Sequence, residues 1–225
     1  TTRTATAATT PTTLFVGDAL LACFLEDGAD AFARIFVHFI ARLVQQHRGL
    51  EHLRLSTRAP APDGALRNAI AARVAALDAH QRGAGPLAGL AGWSAARDGW
   101  AALASAQSSA SARESMARHG AVLAALRKLT AAVADRSGLS LDPVAGSDLL
   151  ISASVHTLPE LAESLSLIAA RGSAYIDTGL FEANEDQLIN ATAMVARHGL
   201  ERAAGGLGTL GADPALRGAL AFLDR

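Results

Sequence analysis

Residues 135–143 read DRSGLSLDP, and the same segment runs on to LPELAE at 158–163. Asp, Ser, Gly and Pro all oppose helix propagation, by competing for backbone hydrogen bonds, by backbone entropy or by a missing N–H. Here they interrupt a chain otherwise rich in alanine and leucine. Gly138 stands where one helix ends, and Asp142 with Pro143 stands where the next is capped and opened. A corner of this kind reverses the chain, so the helices on either side run antiparallel. The fold expected is therefore all-α: an antiparallel helical bundle, whose extended form would be two stacked four-helix bundles sharing long helices.

Bulk composition agrees. Half of the 225 residues are apolar, enough to bury a core of one large domain or two small stacked ones. Aromatic residues make up only 4%, so a sheet has little to build with. Twenty Lys and Arg against twenty-one Asp and Glu give a net charge of −1, which lacks the footprint of a nucleic-acid binder. The single Cys23 has no internal disulfide partner and reads as a small buried hydrophobe. Residues 14–40 form the most apolar stretch, yet they carry Asp18, Glu26, Asp27, Asp30 and Arg34, so no membrane span is expected. A membrane-anchored parent protein stays open, with a periplasmic location if the chain belongs to a transmembrane receptor and a cytoplasmic one otherwise. Residues 1–13 are a Thr/Ala-rich leader, and 14–225 read as a single helical domain.

Outward from the corner, apolar spacings of three and four mark successive helices. A short helix is expected over 14–27. A long one follows from Ala31 to about Leu55, with Phe32, Ile35, Phe36, Phe39, Ile40, Leu43 and Val44 on one face. Residues 65–81 repeat the pattern through Leu66, Ile70, Val74 and Leu77. Trp93 and Trp100, two turns apart, share a side of a third segment, each preceded by a glycine that leaves room for its ring. Ser111 and Glu114 have capping-box spacing ahead of Met116, His119, Val122, Leu123, Leu126, Leu129 and Val133. Pro159 must either kink a helix or start one. GGLGTLG at 205–211 reads as an interhelical loop, and 214–225 as a final short helix.

Chemical motifs are sparse. CxxC, HExxH, GxSxG and Walker-type loops are absent, and the glycine run follows a helix rather than a strand. Seven histidines are dispersed; His47 and His52, five apart, miss the spacing of a helical zinc pair. His47 and His119 are the two worth testing, and no metal or cofactor is expected. Asp148 with Glu160, or Glu160 with Glu163, would be the nearest pairs of carboxylates, a pattern that any helical protein offers. QQHRGL at 45–50 places Arg48 inside an apolar helix, where its planar fork suits a carboxylate, nitrate or phosphate, or else a structural ion pair; Gly49 admits a close neighbour.

QQHRGL, the Trp93 and Trp100 region, ARHGAVLAALRKLTAAVADRSGLSLDP at 117–143 and LPELAESLSLIAARGSA at 158–174 together resemble a family: the helical nitrate- and nitrite-sensing domains of bacterial chemoreceptors and histidine kinases. The likeness lies in motif order and spacing over roughly residues 35–200. It departs after Asp142-Pro143, where relatives often carry adjacent aromatics and this chain has GSDLLISAS. The resemblance implies a non-enzymatic sensor that binds a small molecule or anion within the bundle; the chemistry of the residues themselves gives Arg48, His47, Asp142 and Arg171 as the candidate contacts, and a homodimer is expected. The alternative is a helical protein-interaction module with no small ligand.

Overall fold

In the computed structural model, residues 29–57, 64–82, 89–90, 92–105, 111–136, 149, 151–179 and 184–212 are described, with side chains from Val37 onward except at 80, 207 and 210–212. They form an all-α bundle: α1 (Ala29–Thr57), α2 (Gly64–Arg82), α3 (Trp93–Ser105), α4 (Ala112–Arg136), a π-helical turn (Ser152–Thr157) leading into α5 (Leu158–Thr178), and α6 (Glu185–Ala212). No strand occurs among the described residues. The expected helix at 14–27, the residues of the corner beyond Arg136, including Asp142, and the final helix at 214–225 lie outside the described residues.

α1 is the central helix, packed most extensively against α4 and α5. Its apolar face buries Val37, Ile40 and Val44 against Leu123, Leu126, Leu129 and Val133 of α4, with Ile70 and Leu77 from α2. Trp93 and Trp100 are both buried, as their shared side of α3 requires. Gly99 lies between them in sequence, and a Cβ there would sit 3.0 Å from Val122 Cγ2, so α3 and α4 approach closely at this point. The α4 start is capped as its spacing predicts: Ser111 Oγ accepts the Glu114 backbone N–H at 3.1 Å.

Pro159 and the glycine run fare differently against the expectation. Pro159 stands in the first turn of α5, one of the two places expected for it, but no loop precedes it: the turn before it widens to π geometry, and the Leu158 N–H donates to Ala153 O. Widening moves the carbonyl one turn back away from the proline ring and bypasses the missing N–H. The glycine run at 205–211 is not a loop; α6 continues helically to Ala212. Buried Ala196 and Ala203 anchor α6 up to the run, and glycine lowers helix propensity without forbidding the helical backbone. The chain leaves α5 through Gly179 in the left-handed region (φ 64°) and enters α6 after Asn184 (φ 70°).

The two helices flanking the corner do run in opposite senses. His47 meets His119, and Val37 and His38 line one cleft with Arg127 and Thr130, making α1 antiparallel to α4. Gln45 meets Glu163 and Gly49 meets Ala170, making α1 parallel to α5. Each of α4 and α5 packs far more extensively on α1 than on the other, and clefts lined by all three helices open along the seam.

Candidate functional site

Arg48 is the largest of the fully buried side chains among the described residues, at 1% exposed. A guanidinium cannot discharge itself by losing a proton, so burial obliges it to find a carboxylate. Glu163 supplies one, with Nη1–Oε1 at 2.6 Å and Nη2–Oε2 at 3.1 Å, and Ser166 Oγ accepts from Nη2 at 3.0 Å. Gln45 donates to the same carboxylate at 2.9 Å. Gly49 lets α5 come close enough: a Cβ there would lie 3.9 Å from that of Ala170. Arg48 Nε is buried and has no hydrogen-bond partner among the described residues.

Arg48 also lines a cleft of about 710 Å³ shared by α1, α4, α5 and the start of α6. Arg171 is on the same wall, paired through Nη1 with Glu185 Oε1 at 2.5 Å in the first turn of α6. Arg113, exposed at the rim, makes no ion pair among the described residues. His52, Ser56, Tyr175 and Asn184 add polar groups. The cleft thus holds three guanidiniums against two carboxylates, with Met116, Leu167 and Leu188 supplying apolar surface.

His47 belongs to a different constellation. One residue before Arg48 on the helix, it points about 100° away, into the junction of α1, α2, α3 and α4. Its Nδ1 lies 2.9 Å from His119 Nε2, and its Nε2 lies 3.4 Å from Arg67 Nε. His119 Nδ1 lies 2.7 Å from Ser115 O and 3.3 Å from Ser115 Oγ. Arg67 can only donate, and Ser115 O can only accept, so one tautomer satisfies the whole run. Arg67 Nε–H donates to His47 Nε2, His47 Nδ1–H to His119 Nε2, and His119 Nδ1–H to Ser115 O. The Trp100 ring meets His47 edge-on, centroids 5.3 Å apart. Burial pushes the His47 pKa down to about 4, helped by His119 and Arg67 and opposed by Glu51. His119 is also lowered, first by burial and then by Arg48, against the hydrogen bond to Ser115. Both rings are therefore neutral at pH 7.

Of the residues singled out in the sequence, Arg48 and Arg171 meet at one cleft, His47 faces away from it, and Asp142 lies outside the described residues. Glu160 and Glu163 do not act as a pair: Glu163 holds Arg48, while Glu160 lies 3.3 Å from Arg202 of α6. The partners Glu163, Glu185 and Arg67 were not anticipated. One signal existed for Glu163, an acid embedded in the apolar run LAESLSL, where a buried arginine elsewhere would call for it. Among the described residues no group of three or more His, Cys, Asp and Glu is placed to hold a metal ion. No described helix is long and apolar enough to cross a membrane.

No family model, curated protein or solved structure matches this chain.

Proposed function

We propose that this chain is a non-enzymatic sensor module that takes a small anion, such as nitrate, nitrite or a short carboxylate, into the cleft between α4 and α5. The observation that carries the reading is the convergence of Arg48 and Arg171 on one cleft, with a buried Arg48 Nε left as a spare donor. Arg113 at the rim supplies attraction without a competing carboxylate. An entering anion exchanges for Glu185 on Arg171 or completes the coordination of Arg48. Exchange at Arg171 releases the α5 to α6 tie, giving the ligand unequal affinity for two helix arrangements, the requirement for any sensor. The sequence resemblance to nitrate- and nitrite-sensing domains supports the same reading.

Thermal unfolding in nitrate, nitrite, acetate or malonate, against chloride at equal ionic strength, tests it. A rise in Tm with one of these anions, lost in Arg171→Gln and reduced in Arg113→Gln, is expected. Equal Tm in all of them would eliminate the anion reading.

A second reading, a protein-interaction module or homodimer, is favoured by one feature. Leu158, Ala162, Leu165, Ala169 and Ile176 of α5 are exposed, at spacings that keep them on one face, with Ile176 80% exposed. Concentration-dependent association in sedimentation, abolished by Leu165→Glu, would support that reading in place of the first.

A further inference from the structure

The junction around His47 does something that the anion cleft does not require. Four helices meet at a hydrogen-bonded run in which every imidazole nitrogen is committed: Arg67 of α2, His47 of α1, His119 of α4 and the Ser115 carbonyl one turn before it. A second proton on His47 would go to Nε2, converting an acceptor into a donor that faces Arg67 Nε–H at 3.4 Å. A second proton on His119 would go to Nε2, which faces the His47 Nδ1–H at 2.9 Å. Either event breaks a bond and opposes like charges, so the closed junction has no place for an extra proton.

The groups facing this pair set the direction of relief. On α1, Glu51 is tied to Arg54 by two hydrogen bonds and Arg48 is tied to Glu163 of α5. On α3, the contact is the uncharged Trp100 ring. The α4 contribution beyond His119 is the neutral Ser115. Arg67 is the one charged neighbour held in no ion pair among the described residues, with Glu51 attracting it only through space, and it is only partly buried. It is the member that can leave.

We propose that His47, His119 and Arg67 form an acid-sensitive latch, in which a proton entering the imidazole pair ejects Arg67 and frees α2 from α1 while α1 and α4 stay joined. In the open form His47 faces water again and takes its proton at an ordinary pH, so acid favours opening. The latch is independent of the anion reading: its residues lie outside the cleft, and its trigger is the proton alone.

Amide hydrogen exchange on the full chain at pH 7 and pH 5, corrected for the intrinsic pH dependence of exchange, reads the latch directly. With His47 moving from about 4 when closed to 6.5 when open, exchange in Gly64–Arg82 rises about 20-fold at pH 5, while Ala112–Arg136 stays protected. His119→Gln keeps an acceptor for the His47 N–H but not the second imidazole, and shrinks that rise. Arg67→Gln, a substitution at a partly buried position, raises α2 exchange already at pH 7 and leaves little further response to acid. Equal α2 protection at both pH values, simultaneous loss in α2 and α4, or an undiminished acid response in Arg67→Gln would each overturn the proposal.

Discussion

Arg48 and Glu163, 115 residues apart, close a two-bond ion pair that fastens α5 to the central helix with only 1% and 14% of their side chains exposed. Removing one partner strands a charge in a site that water barely reaches. Glu163→Gln is expected to destabilise the fold by about 3 kcal/mol, measured as the shift of a urea midpoint. Replacing both residues, as Arg48→Met with Glu163→Leu, costs much less than the sum of the single changes. A Glu163→Gln midpoint equal to that of the parent chain would mean that the pair is open to solvent.

Stability depends on pH through the two buried imidazoles. The His47 value falls on folding, so the unfolded chain binds more protons between the two values. Its contribution is complete above about pH 6.5 and is lost as pH falls towards 4. For His47 alone this amounts to roughly 3 kcal/mol. Denaturation midpoints taken from pH 7.5 down to pH 4.5 should fall steadily, with a shallower slope in His47→Gln.

Gly99 is a packing glycine. Val122 is buried and β-branched, with one strongly favoured helical rotamer, so its Cγ2 cannot swing away from a Cβ placed 3.0 Å off. Gly99→Ala should therefore destabilise by about 1–3 kcal/mol despite its better helix propensity. Adding Val122→Ala relieves the clash, and a double-mutant cycle should show favourable coupling.

The glycines of α6 predict the opposite sign. A Cβ at Gly205 meets nothing within 4 Å, and the backbone there is helical. Gly205→Ala is expected to stabilise by about 0.5–1 kcal/mol, read as a higher thermal midpoint. At Gly92, where φ is +97°, the same change should destabilise. A Gly205→Ala that lowered the midpoint would argue that the run is a loop after all.

Helices were legible wherever the apolar period was strong. α1, expected from Ala31 to about Leu55, spans Ala29–Thr57; α2, expected over 65–81, spans Gly64–Arg82; and α4 ends at Arg136, where DRSGLSLDP begins. Local rules failed where a neighbouring turn or packed face outweighed them. Gly205, Gly206 and Gly208 were carried along inside α6, whereas Pro159 kept its expected place in the first turn of a helix, behind a widened turn. The site was legible only in part. Arg48 is conspicuous because a charge in an apolar stripe must be compensated, yet nothing local names Glu163 as the compensator.

The sequence by itself determined that this protein is a bundle of helices and which face of each one is apolar, because helix formation and amphipathic burial depend on spacings of a few residues. Only the tertiary structure decided that His47 joins His119, 72 residues away, while its neighbour Arg48 turns to Glu163 and to the cleft that Arg171 shares. Those pairings follow from how helices cross over α1, and a buried polar group takes whichever partner that crossing brings within hydrogen-bond reach.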